Sequence, residues 1–172
     1  MVVRFKHWTE RSYNRRIDLY GSIGIKKAVI HPGPYGITLC VENMANEDSS
    51  VESLLSLIEA AGGDHLAICL DTGHLNLAQE KDQEHFITLA GVKLMALHIA
   101  DNDCSGDQHL IPFARGTVDW SQVMTTLHNI GYKGTLNFEI PGDSINCPLS
   151  LRNGKLDYVK QVGEHLLTLM DA

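Results

Sequence analysis

The sequence lacks the long apolar segment that a membrane-spanning helix requires. No run approaches about 18 consecutive apolar residues, and the segment 1–7 has no apolar core of the kind found in signal peptides. Basic runs are also scarce, since Arg15-Arg16 and Lys26-Lys27 are the longest and the formal net charge is -7. A nucleic acid would have to bind against this overall field, which disfavours such a partner. We therefore expect a cytoplasmic protein with no membrane association.

Cysteine is not arranged for a disulfide framework or a zinc finger. The four cysteines show no CxxC spacing; Cys40 and Cys69 lie inside predicted strands, and Cys104 and Cys147 lie in predicted loops. We interpret them as reduced, structural thiols. With 172 residues, 44% of them hydrophobic, the chain is long enough to bury a sizeable core, and we treat residues 1–172 as one domain.

The chain does contain a repeated plan of short apolar segments that end in His, Glu or Asp. The clearest example runs from Leu66 to Asp71 and continues as Thr-Gly-His74, which predicts a buried strand with polar residues at its carboxyl end. Further segments follow the same plan at 26–31, 37–43, 92–98 and 134–139. Helix signals lie between several of them, so strands and helices alternate as they do in parallel βα units.

The helix signals differ in strength. Ser49 with Glu52 forms a capping box, and Asp119 with Gln122 forms another. Weaker amphipathic patterns cover 10–22 and 75–90. A last helix is predicted from its apolar positions, which are Leu156, Val159, Val162, Leu166, Leu167 and Met170. The irregular stretch 100–118 is rich in Asp, Asn and Gly, and loops of this length in a compact domain are usually functional.

The two faces of the predicted strands carry different side chains. The face shared with the terminal acid or histidine is small or polar: Thr38, Cys40, Ala67, Cys69, Ala96, Thr135 and Asn137. The opposite face is large and apolar: Leu39, Val41, Ile68, Leu70, Met95, Leu97, Leu136 and Phe138. An open doubly wound sheet needs large apolar residues on both faces, whereas a barrel lumen accepts this asymmetry. The sequence therefore favours an α/β fold, a partial (β/α) TIM-type barrel with about five parallel strands and surrounding helices.

Four of the predicted strands end in acidic or histidine side chains that could form one site. In a parallel barrel Glu42, Asp71, His98 and Glu139 converge at one rim. Three carboxylates pointing together in an apolar barrel repel one another unless a cation lies among them. We therefore predict a divalent metal site with oxygen-dominated ligation, which suits Mn²⁺, Mg²⁺ or Co²⁺ and also admits Zn²⁺. Taken alone, a strand-end glutamate is commonly a helix cap or a surface carboxylate.

Further polar residues lie near this rim. His31, His74, Asp107 and His109 could bind additional metal ions or hold substrate oxygens, and as single residues they could equally belong to the scaffold. Arg115, in the loop that faces the site, could bind a phosphate or carboxylate or could be a surface arginine. The Asp-Asn-Asp run at 101–103 fits turn chemistry as well as ligation, and Trp120 is interpreted as a packing residue at a helix start.

With these residues laid out, the chain resembles the xylose isomerase-like TIM barrel superfamily, which includes sugar phosphate isomerases and epimerases and endonuclease IV. The resemblance covers about residues 10 to 140 in the family's order. Its motifs are His31-Pro-Gly33, Val41-Glu42-Asn43, Leu70-Asp71-Thr-Gly-His74, Leu97-His98-Ile-Ala-Asp101-Asn102, Asp107-Gln-His109 with Gly116-Thr-Val-Asp119-Trp120, and Asn137-Phe-Glu139.

The resemblance implies roles for these residues. In the isomerase branch one divalent metal is held by the positions matching Glu42, Asp71, His98 and Glu139. The two glutamates there also act as the catalytic acid/base pair, and the histidine matching His74 contacts substrate. In the endonuclease branch the same positions, with those matching His31, His74, Asp107 and His109, hold three zinc ions.

The sequence departs from the family pattern in three places. The first three βα units of the eight-stranded barrel have no counterpart, a turn at 32–36 replaces a helix, and Ala114-Arg115-Gly116 stands where Gly-x-Gly is usual. The barrel is then open on one side. Strands 26–31 and 134–140 would expose edges of the kind that proteins cover by pairing, so a homo-oligomer is expected.

Three functions are consistent with these observations. The first is a metal-dependent sugar or sugar-phosphate isomerase/epimerase that works through an enediolate, with Glu42 and Glu139 as catalytic residues and His31, His74, His109 and Arg115 near a small-molecule substrate. The second is an endonuclease IV-like zinc phosphodiesterase acting on abasic DNA, which the net charge disfavours. The third is a catalytically inactive half-barrel that serves as a binding or assembly module.

Overall fold

The computed structural model describes residues 28–29, 38–45, 49–62, 65–78, 82–141 and 146–170. Its strands are β1 (Ala28–Val29), β2 (Leu39–Glu42), β3 (Leu66–Asp71) and β4 (Leu94–His98). Its helices are α1 (Val51–Ala60), α2 (Thr72–Leu77), α3 (Gln83–Ala90), α4 (Trp120–Asn129) and α5 (Leu149–Met170), with a 3₁₀ turn at Gly91–Lys93. The helix predicted at 10–22 and the predicted site residue His31 lie outside the described residues.

The sheet has the order β1-β2-β3-β4, and its β2–β3 and β3–β4 pairs are parallel. Beyond β4, Ile99 forms a parallel bridge with Phe138. The Ile99 N–H donates to the Asn137 carbonyl at 2.7 Å, and the Glu139 N–H donates to the Ile99 carbonyl at 3.0 Å. The strand predicted at 134–140 is therefore reduced to one bridge, but that bridge brings Glu139 beside the end of β4. The partial parallel α/β fold is confirmed.

The first strand runs in the opposite direction from the one predicted. β1 pairs antiparallel with β2, with Ala28 opposite Val41 and Val29 opposite Cys40. The connection, residues 30–38, is shorter than the crossover of a dozen or more residues that joins parallel strands, and it contains Pro32-Gly-Pro34. An antiparallel neighbour is the arrangement that so short a connection permits.

The predicted difference between the two sheet faces is confirmed. Leu39, Val41, Ile68, Leu70 and Leu97 belong to the main core, which the helices cover. A separate small cluster on the other face contains Cys40, Ala67 and Cys69, with Ala96 packed against it. Met95 is an exception, since it is 53% exposed. The β3–β4 register shifts between Ile68 and Cys69, and this irregularity takes Met95 out of the alternation.

The helices with predicted capping residues begin where those residues predict, with one exception. The Asp119 side chain accepts the Gln122 N–H at 3.0 Å, so the predicted cap of α4 is confirmed. In α1 the cap is Ser50, whose hydroxyl accepts the Ser53 N–H at 3.2 Å, and not Ser49. The weak pattern at 75–90 resolves into α2 and α3, each capped by an aspartate: Asp71 and Asp82.

The last helix is longer and more exposed than its apolar residues predicted. It begins at Leu149, and its buried residues are Val162 and Leu166, whereas Leu156 and Leu167 are exposed. The other face of α5 carries no described neighbour that would bury them. Across the ranges described here, no helix is both long enough and apolar enough to cross a membrane.

Candidate metal centre

The four strand-end residues meet at one place. Glu42 ends β2, Asp71 ends β3, His98 ends β4, and Glu139 follows the bridge that extends the sheet. One ligand atom from each of the four side chains lies within 4.8 Å of the other three. Because these strands run parallel, their carboxyl ends share one edge of the sheet, and the side chains converge there.

His98 lies at the middle of this group, which we call the rim cluster. Its Nδ1 is 2.7 Å from Glu139 Oε2 and 3.0 Å from Glu42 Oε1. Hydrogen bonds with Cys69 and Glu42 raise the pKa of His98 far above its usual range, although burial opposes the shift. Two glutamate oxygens from separate strand ends thus converge on one nitrogen of His98.

Asp71 offers a buried oxygen to a ligand. Its Oδ1 accepts the His74 N–H at 2.8 Å and so caps α2. Its Oδ2 is buried and has no hydrogen-bond partner among the described residues. Burial raises the pKa of Asp71, although the neighbouring imidazoles of His74 and His98 oppose the shift. An unpartnered buried carboxylate oxygen, beside two more carboxylates and an imidazole, fits a divalent cation.

Asn43 joins the ends of β2 and β3, a role that sequence reasoning missed. Its Oδ1 accepts the Asp71 N–H at 2.7 Å, and its Nδ2 donates to the Asp71 carbonyl at 3.0 Å. The Asn43 carbonyl in turn accepts a hydrogen bond from His74 Nδ1 at 2.9 Å. The one signal in the sequence was a polar residue directly after the strand-end carboxylate Glu42.

A second group, the loop cluster, contains His74, Asp107 and His109. The Asp107 Oδ2 is 3.4 Å from His74 Nε2 and 3.2 Å from His109 Nε2. His109 Nδ1 donates to the Glu139 carbonyl at 3.0 Å. Both rings thus use Nδ1 on a main-chain carbonyl and direct Nε2 at the same carboxylate, as metal-binding histidines commonly do.

His74 links the two groups. Its Nδ1 is 3.6 Å from Glu42 Oε1 and 4.0 Å from Asp71 Oδ1. Burial alone would lower the pKa of His74, but Asp71, the Asn43 carbonyl, Asp107 and Glu42 together raise it. The imidazole therefore sits in a strongly negative environment, at the border between the rim cluster and the loop cluster.

The structure places the other predicted residues away from these groups. Arg115 is exposed and its Nη1 lies 3.6 Å from Asp103 Oδ2, so it belongs to neither cluster. None of the four cysteines, all of which lie in the described ranges, forms a disulfide. Burial raises the pKa of Cys40 to about 11 and also raises that of Cys69, so both thiols stay protonated at neutral pH, as structural thiols do.

The run 101–103 forms a turn network. The Asp101 carboxylate accepts hydrogen bonds from four N–H groups, and none of these four donors is a lysine, arginine or histidine side chain. Asn102 donates through Nδ2 to the Gly73 carbonyl at 2.7 Å, and Asn76 donates to Asn102 Oδ1 at 2.9 Å. This network ties the loop 100–118 to α2, and its members were not identified as supporting residues from the sequence.

Curated relatives include two sugar epimerases. L-ribulose 3-epimerase of Mesorhizobium japonicum is 30% identical over 108 residues, which cover 60% of this chain and 34% of that protein. D-psicose 3-epimerase of Enterocloster bolteae is 28% identical over 91 residues, which cover 53% of this chain and 28% of that protein. The matched region thus spans about a third of the length of these relatives.

Solved structures and family patterns agree on the fold. A crystal structure of D-psicose 3-epimerase determined in the presence of D-fructose has a TM-score of 0.63 and 16% identity, covering 96% of this chain and 60% of that one. The sequence pattern of the family described as Xylose isomerase-like TIM barrel matches residues 7–167, nearly the whole chain. The chain therefore belongs to the xylose isomerase-like TIM barrel family.

Proposed function

We propose that this chain belongs to a divalent-metal-dependent sugar epimerase or isomerase in which Glu42 and Glu139 form the acid/base pair. One observation carries the proposal: three carboxylates and one imidazole at strand ends bring ligand atoms within 4.8 Å of one another. This donor set suits Mn²⁺, Mg²⁺ or Co²⁺ and accepts Zn²⁺. The relatives named for 3-epimerisation of psicose and ribulose support the same reaction class.

The reaction requires proton transfer at a carbon next to a carbonyl. Glu42, Asp71, His98 and Glu139 would hold a divalent cation, which would supply Lewis-acid polarisation of the substrate carbonyl and so acidify the adjacent C–H. In the proposed reaction one glutamate takes the carbon-bound proton, and the C–H electron pair forms the enediolate. The carboxylic acid of the other glutamate returns a proton to the opposite face, which inverts that carbon.

The geometry of the two glutamates supports this division of work. Glu42 comes from β2 and Glu139 from the segment that pairs with Ile99, and the two approach His98 Nδ1 at 3.0 and 2.7 Å. They therefore reach the same position from separate elements, close enough to act on one bound substrate. His74 and His109, beside Asp107, would bind substrate hydroxyl groups.

The charges around the site favour an unphosphorylated sugar. Every ion pair that the described structure gives to Glu42, Asp71, Asp107 and Glu139 is with a histidine. Arg115, a predicted phosphate ligand, is paired with Asp103 and points to solvent. In the described residues no lysine or arginine pairs with these carboxylates to form a phosphate-binding site, so we propose a free ketose and expect its phosphate ester to react more slowly.

Solvent exchange tests the proposal directly. The protein is loaded with Mn²⁺ and incubated in D₂O with D-psicose, L-ribulose and a panel of other free ketoses, and loss of the carbon-bound proton signal is followed by NMR. We expect exchange at the epimerised carbon, reduced at least about 100-fold in Glu42→Gln and in Glu139→Gln. Glu164→Gln, an exposed residue on α5, is the matched control and should retain the wild-type rate.

Absence of exchange with the whole panel, in protein that binds Mn²⁺, would overturn the epimerase proposal and favour a binding module. Metal content of each variant must be measured in parallel, because the two glutamates are also proposed metal ligands. Exchange that persists in both glutamine variants at full metal loading would remove Glu42 and Glu139 from the catalytic step.

A second candidate rests on the loop cluster. His74, Asp107 and His109 present two Nε2 atoms and a carboxylate to one point, which suits a further zinc ion. More than one metal per site fits phosphodiester hydrolysis, as in an endonuclease IV-like enzyme. Two or more zinc ions per chain, together with cleavage of duplex DNA at an abasic site, would favour this function over the epimerase.

We also propose that the protein is a homo-oligomer. Within the described residues β1 forms one edge of the sheet, and the bridge at Phe138 forms the other. Proteins usually cover such edges by pairing or packing. Sedimentation velocity tests this: a single monomeric species across micromolar concentrations would contradict it.

A further inference from the structure

The loop 100–118 carries two of the three residues of the loop cluster in an unusual backbone. Within it Cys104, His109 and Phe113 have left-handed φ values of 65°, 49° and 64°. Residues other than glycine seldom adopt this backbone conformation, and it persists where the surrounding structure imposes it. One of these three residues, His109, is itself a cluster member, so the loop needs a group that holds its shape.

Asp101 is the residue that meets this need. Its side chain is 1% exposed, and both oxygens are used. Oδ1 accepts the backbone N–H groups of Asn102, Thr117 and Val118 at 2.8, 3.0 and 3.1 Å, and Oδ2 accepts the Trp120 indole N–H at 2.9 Å. One carboxylate therefore joins the beginning of the loop to its end and to the first residue of α4.

The main chain of Asp101 also holds the middle of the loop. Its N–H donates to the Leu110 carbonyl at 2.9 Å, and its carbonyl accepts the Leu110 N–H at 2.8 Å. Leu110 directly follows His109. The same residue therefore fixes the backbone next to His109, whose ring reaches the Glu139 carbonyl at 3.0 Å and Asp107 at 3.2 Å.

Gly116 shows how closely the loop fits around this carboxylate. A Cβ built at Gly116 would collide with the Cγ and both oxygens of Asp101. The loop backbone can close against Asp101 because residue 116 has no side chain. This accounts physically for the glycine in Ala114-Arg115-Gly116.

We propose that Asp101 is a positioning residue, acting through His109, that sets the substrate affinity of the proposed epimerase. It touches no substrate itself. The inference rests on the proposed function for its kinetic test, but the arrangement of the His109 ring can be measured without substrate or metal. Four N–H groups donate to the two carboxylate oxygens of Asp101, so both oxygens must act as acceptors.

The substitution Asp101→Asn tests the proposal with minimal change in size. Its carbonyl can accept from the loop amides, but its NH₂ group then faces the Trp120 N–H, and two donors meet. We expect KM for the ketose to rise about tenfold, with kcat changed less than about threefold, because substrate contacts move while the rim cluster stays in place. Asp101→Asn combined with Trp120→Phe removes the opposing donor and should restore much of the loss.

Two further measurements make the test specific. In long-range ¹H–¹⁵N spectra of the metal-free protein, Asp101→Asn should shift the ring signals of His109 and leave those of His98 unchanged. Trp120→Phe, which removes the indole N–H donor and part of a buried ring, should shift them in the same direction by less and serves if Asp101→Asn does not fold. Val162→Ala in α5 is the control, since it lowers stability from a buried position outside the loop and should leave KM unchanged.

A folded Asp101→Asn variant with wild-type KM and unshifted His109 signals would overturn the proposal. Equal KM increases in Val162→Ala and Asp101→Asn would also overturn it, because general destabilisation would then explain both. If the wild-type protein exchanges no ketose proton, the proposed function fails, while the ring signals of His109 still decide whether Asp101 positions that residue.

Discussion

Replacing Asn43 by Ala should weaken the fold because this side chain joins the ends of β2 and β3. Its Oδ1 and Nδ2 bond the N–H and the carbonyl of Asp71 at 2.7 and 3.0 Å, and the residue is 1% exposed. Alanine removes the partner that this side chain gives to each of the two Asp71 groups, at a cost of about 1–3 kcal/mol each. We therefore expect the free energy of unfolding of the metal-free protein to fall by about 2–6 kcal/mol in urea titrations.

The same substitution should weaken Mn²⁺ binding about 10- to 100-fold in calorimetric titrations, since Asn43 orients Asp71 from outside the ligand set. Asn76→Ala is the matched control. Asn76 is also buried, but it donates to Asn102 Oδ1 and Thr117 Oγ1, both at 2.9 Å, in the loop 100–118. It should lose similar stability and keep its Mn²⁺ affinity within about threefold. Equal Mn²⁺ affinity in Asn43→Ala and wild type would refute the reasoning, as would equal weakening in both variants.

Other outcomes depend on single contacts. Gly116→Ala should lower the free energy of unfolding by about 1–3 kcal/mol, because the added Cβ meets Asp101. Gly106→Ala is the control: its Cβ has no atom within 4 Å, so the change should stay within about 0.5 kcal/mol. Equal losses in urea titrations would contradict this. Leu166→Ala leaves a cavity at a fully buried position of α5 and should lower the free energy of unfolding by about 2–5 kcal/mol. Leu167 is 50% exposed, so Leu167→Ala should lower it by under about 1 kcal/mol. Similar values for the two variants would contradict the described packing. Mn²⁺ binding should release protons and weaken as the pH falls through neutrality, because hydrogen bonds to Cys69 and Glu42 raise the pKa of His98 and the metal must displace that proton. Titrations in buffers of different ionisation enthalpy measure the release, and a pH-independent affinity would count against it.

The candidate metal ligands could be predicted from the sequence because one local rule places them. An apolar run that stops at a charged residue marks a strand end, and parallel strands present their ends at one edge. The alternation of Cys40 and Cys69 with Val41 and Leu70 likewise identified the two faces of the sheet. Both signals depend on neighbours one or two residues away, so no tertiary information was needed.

The features that could not be predicted depend on distant partners. The apolar pattern of 26–31 is the same for a parallel or an antiparallel neighbour, and the direction of β1 follows from the short connection to β2. The exposure of Leu156 depends on what packs against α5. Asn43 meets Asp71 across 28 residues, and Asp101 meets Trp120 across 19, so neither role leaves a periodic signal.

The geometry of the loop cluster depends on that of the rim cluster, but not the reverse. The rings of His74 and His109 are held through Nδ1 by the main-chain carbonyls of Asn43 and Glu139, which lie at the strand ends of the rim cluster. A change in Asp107 leaves those carbonyls in place, so the rim cluster should keep its geometry. A change that shifts either strand end moves a ligand of the rim cluster and a ring of the loop cluster together. The strand ends therefore set the arrangement of the whole site, and the loop 100–118 meets them through the ring of His109.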